Sequence, residues 1–262
     1  MQRNKCRLCD GELLDKFTLT LLNKYDVKYS ECAACLSLQT EPPYWLDEAY
    51  TQGNLSNLDT GSAQRNINNL AVCFAISKLF GITNILDIGG GDGLLCRLLR
   101  DYGLNCYVKD KFATPKYAQG FTLQNFETPD LILCFEAIEH FSNTKKDLDQ
   151  LFDQNPPALL ISTSIYSNQQ QDWWYLSPQS GQHVFFYSQK AIELIANTYN
   201  YEVITRGSFI FFIKHASNFK KFISWLCLSH HVYRWIKSII FTLPTPNVWT
   251  DYLAQQSKLD IH

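Results

Sequence analysis

From position 84 onward the chain alternates short apolar runs with stretches in which apolar residues recur every three or four positions. The runs near 84–88, 105–109, 130–135 and 158–163 predict buried strands, and the segments near 93–102, 142–153 and 188–199 predict helices between or after them. Such alternation marks a parallel, doubly wound α/β sheet. The last two runs, 201–205 and 208–214, are parted by Arg206-Gly207 and predict an antiparallel hairpin at the sheet edge. The expected result is a seven-stranded, mostly parallel sheet with a reversed last strand. Ahead of it, Ile67, Leu70, Ala71, Phe74, Ala75, Lys78 and Leu79 have helical spacing, and Gly81 stands where that helix should end. Near the other end, Phe222 to Leu243 is aromatic and aliphatic, but His230, His231, Arg234 and Lys237 interrupt it well short of the ~18 clean residues a spanning helix needs. It predicts a packed amphipathic helix, with weak contact to a membrane surface as the alternative.

The first 40 residues show no long periodic apolar face, so this segment is expected to depend on a metal to fold. Its ligands are two Cys-x-x-Cys pairs, Cys6/Cys9 and Cys32/Cys35, with 22 residues between them. Each turn points two thiolates at one tetrahedral ion, and together they predict a structural four-sulfur Zn2+ site of the knuckle or ribbon kind. Two disulfides or redox pairs are the alternative, but Cys73, Cys96, Cys106, Cys134 and Cys227 lie singly in apolar runs, as reduced buried thiols of a cytosolic protein do. Pro42-Pro43 and the Gly/Asn-rich stretch 52–61 act as punctuation. They divide the chain into a zinc-binding module at 1–45, an α/β domain at 62–215 and a helical extension at 216–262. The basic start, Met1 to Lys5, runs directly into the cysteines with no apolar signal-peptide core behind it, which predicts a cytoplasmic protein.

Composition adds little beyond an ordinary globular core: 46% of residues are apolar and 18% charged. The aromatic load of 17 Phe, 14 Tyr and 6 Trp is heavy. A net charge of −2 supplies no global pull toward nucleic acid, so an extensive nucleic-acid surface is not expected.

The first candidate site is the strand Ile85 to Ile88 running into Gly89-Gly90-Gly91-Asp92-Gly93 ahead of the helical run Leu94 to Leu99. Glycines there let the backbone turn sharply and let a ligand approach a helix N-terminus. Asp110, 19 residues after Gly91, falls at the end of the next strand, where a carboxylate accepts hydrogen bonds from both ribose hydroxyls of a nucleoside cofactor. A dinucleotide site expects Gly-x-Gly-x-x-Gly, whereas the spacing here is Gly-x-Gly-x-Gly. Asp87 with Gly89, Gly91 and Gly93, then Asp110, then Pro129 to His140, taken together, resemble the successive motifs of class I S-adenosylmethionine-dependent methyltransferases over residues ~80–215. The resemblance implies a Rossmann-like fold in which Asp87, Gly89, Gly90, Gly91 and Gly93 cradle the methionine part, Asp110 the ribose, and Asn125 and Phe126 the adenine, with Phe135 also at the cofactor. The stretch 111–120 is short and holds Pro115, so the usual second helix is reduced. A four-cysteine knuckle ahead of such a domain is similar to the sugar C-methyltransferase group acting on nucleotide-linked deoxysugars.

The second candidate site is Glu136-x-x-Glu139-His140 at the C-terminal end of a strand, the edge where open α/β sheets bind ligands. These groups suit a hard divalent cation or a general base, unless Glu139 and His140 merely cap the next helix. His183 follows an aromatic stretch, Trp173-Trp174-Tyr175, that suits stacking on a sugar ring. It is the leading base, against the plainer role of a satisfied buried group. Three functions follow. The first is methyl transfer to a small polar acceptor, a sugar, sugar nucleotide or glycan end. The second takes Glu136, Glu139, His140 and His183 as a Mg2+ site, an arrangement that resembles small-RNA 3′-terminal and quinone O-methyltransferases. The third is a non-catalytic interaction protein built on the same fold. The sequence does not give the oligomeric state.

Overall fold

The computed structural model describes residues 5–51, 59–122 and 128–259. The chain starts with strands β1 (Leu13–Leu21), β2 (Tyr25–Cys32) and β3 (Leu38–Thr40), then α1 (Leu46–Thr51) and the long α2 (Ser62–Phe80). An alternating section follows: β4 (Asn84–Ile88), α3 (Leu94–Asp101), β5 (Asn105–Lys109), β6 (Leu131–Phe135), α4 (Thr144–Phe152) and β7 (Ala158–Ser162). After a long excursion come β8 (Phe185–Phe186), α5 (Gln189–Tyr199), and the hairpin of β9 (Glu202–Arg206) and β10 (Phe209–Ile213). Helices α6 (Asn218–Cys227), α7 (His230–Ile240) and α8 (Asn247–Leu259) end it.

The main sheet has the order β5-β4-β6-β7-β10-β9. The first four strands pair in parallel, and β10 runs antiparallel to both its neighbours, which is the expected reversal. Among the described residues the sheet has six strands, with three parallel pairings and two antiparallel ones, so it is mixed. Outside β5, among the described residues, Val108 forms a parallel bridge with Thr122; Asn125 and Phe126, assigned to the adenine, lie outside the described residues. No helix forms in 111–120, and that loop folds back on the glycine turn, so that a Cβ placed on Gly93 would lie 2.9 Å from Ala118 and 3.0 Å from Pro115. Apolar side chains cover both faces of the sheet. Leu70, Ile76, Leu95, Leu99 and Phe211 pack on one, Leu148, Leu151, Ile192, Ile195 and Phe212 on the other.

The N-terminal strands form a second sheet, β1-β2-β3-β8, whose last strand comes from the middle of the chain. Here the expectation of a segment without an apolar face needs correction. Phe17, Leu19 and Leu21 alternate at period two along β1, and with Val27 and Tyr29 they face Trp45, Tyr175, Leu176 and Phe186. The segment therefore has a core, but one shared with residues far along the chain. The hairpin turn is pinned there too: Leu22 and Asn23 both adopt positive φ (53° and 55°), and the Leu22 amide donates to the Pro178 carbonyl at 2.9 Å.

The single helix expected over 222–243 is two, broken at 228–229. Among the described residues no helix is long and apolar enough to cross a membrane. Helix α8 is tied back by Asp251, which accepts from Arg100 Nε and Nη2 at 2.7 Å each and from Arg97 Nη2 at 2.8 Å.

Candidate active site

Strand β4 ends in a buried acid and a turn that only glycines make. Gly89, Gly91 and Gly93 have φ of 75°, 58° and 82°, in the left-handed region. A side chain on Gly90 would collide with the Asp87 carboxylate and Val108, whereas one on Gly91 would meet nothing within 4 Å. Asp87 is 2% exposed and its Oδ2 has no partner. Burial, with the charge of Asp110 behind it, raises its carboxyl to about 7. Asp110, just past β5, accepts from the Gly91 amide at 2.9 Å and from Phe112 and Ala113 at 2.7 and 2.8 Å, so sheet order brings it to the glycine turn as expected. Phe135 is half-buried and packs edge-on to Phe209 at 6.2 Å.

The other candidate residues gather at the C-terminal end of β6. Glu136 sits there with φ 47°, a strained value for a non-glycine residue. Its Oε1 accepts from Ser162 Oγ at 2.7 Å and its Oε2 faces the Tyr175 hydroxyl at 3.0 Å. Glu139 and His140 lie in a short 3₁₀ turn, and α4 begins only at Thr144, so the capping role falls away. Glu139 is fully buried; Tyr175 donates to its Oε1 at 2.7 Å and its Oε2 has no partner. Burial, then the charge of Glu136, raises the Glu139 carboxyl to about 8. Burial also lowers His140 to about 3 and pulls His183 down, so both imidazoles are neutral at physiological pH.

His183 Nδ1 lies 2.7 Å from the Tyr175 carbonyl, which can only accept, so that nitrogen carries the proton and Nε2 keeps its lone pair. The two imidazoles meet edge to face at 4.9 Å. Glu139, His140 and His183 each bring a ligating atom within 4.8 Å of the others, and Glu136 stands beside this set rather than in it. The expected stacking platform is dismantled: Tyr175 is buried, Trp173 packs on Tyr166 and Phe186, and only Trp174 is exposed.

A protein-family model described as a methyltransferase domain matches residues 55–206. The chain belongs to that methyltransferase family. It is accordingly an enzyme, a methyltransferase. No curated protein matches the chain. Among solved structures, it is similar to 1,6-didemethyltoxoflavin-N1-methyltransferase of Burkholderia thailandensis, with TM-score 0.47, 11% identity, and coverage of 71% of this chain and 93% of that one. Magnesium protoporphyrin IX methyltransferase of Synechocystis matches with TM-score 0.46 and 13% identity over 65% of this chain and all of that one, 100%. Human N-acetylserotonin methyltransferase matches with TM-score 0.45 and 12% identity over 65% and 56%.

Within this methyltransferase, the groups around the glycine turn fit the donor. Asp87 Oδ2 is an orphaned buried acceptor, Gly91 opens on free space, and Asp110 Oδ2, which accepts the Gly91 amide, retains a lone pair for a hydroxyl while Oδ1 is filled by the Phe112 and Ala113 amides. The four N-terminal sulfurs also fit one ion. Cys6 and Cys35 Sγ are 3.7 Å apart and Cys9 and Cys32 3.5 Å, while tetrahedral zinc with bonds of ~2.3 Å needs sulfurs about 3.8 Å apart. The other five cysteines are buried and free.

Three contributors escaped the sequence reading. Tyr50, at the end of α1, stacks on Phe112 (4.1 Å, 10°) and sets its hydroxyl 3.3 Å from His140 Nδ1, joining the Asp110 loop to the histidines. Tyr175 is the hydroxyl between the two glutamates. Arg7, within the first cysteine pair, reaches the carbonyls of Thr40 and Val184, and the Val184 amide donates to the Glu139 carbonyl at 2.9 Å. Nothing local in the sequence marks these long-range contacts.

Proposed function

We propose that this methyltransferase moves the methyl group of S-adenosylmethionine to a hydroxyl of a small polar acceptor, with a divalent cation such as Mg2+ at Glu139, His140 and His183. A sugar, sugar nucleotide or glycan end remains the favoured acceptor. The observation that carries the cation is the gathering of three ligating atoms within 4.8 Å of one another, with a buried glutamate oxygen left unpartnered. A base acting alone needs only His183. When bound, the cation supplies Lewis-acid polarisation of the acceptor hydroxyl. The chain's own groups do the rest. Tyr175 fixes the Glu139 carboxylate, the Tyr175 carbonyl fixes the His183 tautomer, and Asp110 anchors the donor so that methyl carbon and acceptor oxygen lie in line. The cleft behind Glu136 offers Arg65, Asn68, Asn69 and Ser208 as polar contacts for the acceptor.

The test uses labelled S-adenosylmethionine with a panel of sugars and sugar nucleotides, with and without a chelator mild enough to spare thiolate-bound zinc. Loss of transfer in the chelator and return with Mg2+ or Mn2+ supports the reading. Transfer indifferent to the chelator but lowered ~10²–10⁴-fold by His183→Ala would assign His183 as base without a metal. The interaction-protein reading is opposed by the intact donor turn. For the N-terminus we infer one structural zinc on Cys6, Cys9, Cys32 and Cys35, since four thiolates leave no open position for a reacting water.

A further inference from the structure

The C-terminal helices leave a stripe of large apolar side chains in water. On α6, Phe219 and Phe222 are 71% and 56% exposed and Trp225 joins them one turn on; on α7, Trp235 is 67% exposed, with Ile239 a turn further. These positions recur every three or four residues, so each helix turns one apolar face outward while the other packs on α2 and β9. Charge singles out the same segment. The 48 residues from Val203 to Thr250 hold six Lys/Arg and no Asp or Glu, leaving 17 of the 23 basic residues to face all 25 acidic ones elsewhere.

We propose that the α6–α7 face lies on an anionic bilayer surface. Aromatic side chains at the headgroup level with cations beside them are the composition of interfacial helices. Arg234 is exposed and adjoins Trp235 in the chain, and Arg206 stacks on Trp225 at 3.7 Å, so charge and aromatic surface are presented together. A second copy is a poor occupant, because a two-fold contact would bring Lys220, Arg234 and Lys237 of each copy together, Lys221 alone among the basic residues of α6 and α7 having an acidic partner, Glu202, among the described residues. The opposite face of α7 lines the cleft behind Glu136 through Tyr233.

Co-sedimentation of the full chain with lipid vesicles tests this. It should pellet with phosphatidylcholine–phosphatidylglycerol vesicles, stay in solution with phosphatidylcholine alone, and be released as salt rises. Trp235→Ser and Arg234→Glu should each lower partitioning about tenfold, a size expected from one interfacial anchor or a reversed charge, while S-adenosylmethionine binding persists as evidence of an intact fold. Chain that stays in solution with both vesicle types overturns the proposal, as does binding that ignores both lipid charge and Arg234→Glu. A lipid-free dimer that Trp235→Ser converts to monomer would assign the face to a second copy instead.

Discussion

Tyr175 has one hydroxyl proton to share between Glu136 Oε2 and Glu139 Oε1, and it faces Thr163 Oγ1 at 3.1 Å besides. A buried hydroxyl so placed ties both carboxyl groups to one position at a fixed separation. Asp87 gives a sharper test at this scale. Its folded carboxyl titrates near 7 while the unfolded chain titrates it near 4, so the folded state prefers the protonated acid. Its stabilising preference is complete below about 4 and is lost as pH rises through about 7. Asp87→Asn, measured without cofactor, should therefore gain on the wild type across that window by up to about 4 kcal/mol, at 1.36 kcal/mol for each pK unit. Thermal melts whose difference stays flat from pH 4 to 7 would show Asp87 ionised throughout. Asp87, the glycines, Asp110 and the Glu-x-x-Glu-His run were legible because each is a local pattern beside a strand end. Tyr50, Arg7 and the role of Tyr175 were not, since their contacts span from tens of residues to well over a hundred.

At the scale of elements, strand and helix positions were read within a few residues because buried parallel strands are continuous apolar runs. The usual second helix is absent from 111–120, where Pro115 stands, as the sequence leads one to expect, and the N-terminal strands were missed because their period is two and their core partners are distant. Helix α8 hangs on Asp251, whose side chain is 10% exposed and pairs bidentately with Arg100. Removing one partner strands buried guanidinium charge, so Asp251→Ala should cost about 2–4 kcal/mol, somewhat less than a fully buried pair because of residual solvent. Urea unfolding checks it; a loss under ~0.5 kcal/mol, the range of an ordinary surface change, would mean the network is decoration.

At the scale of the molecule, the cysteine module and the methyltransferase fold share one sheet through β8 and one core through Trp45, Tyr175 and Phe186. Arg7 extends the link from the knuckle to the backbone of Glu139. Cys32→Ser should therefore abolish zinc in elemental analysis and also loosen the Trp45 environment in tryptophan fluorescence, leaving donor binding less affected. Zinc retained at one ion per chain in that variant would contradict the assigned ligands.

The donor site is the claim on which the rest depends, and calorimetric titration of S-adenosylmethionine into the wild type and Asp110→Ala tests it most directly. One site per chain is expected, weakened by about 1.5–3 kcal/mol in the variant through loss of a charge-assisted hydrogen bond to the donor. No heat of binding in the wild type, or equal affinity in both, would contradict it.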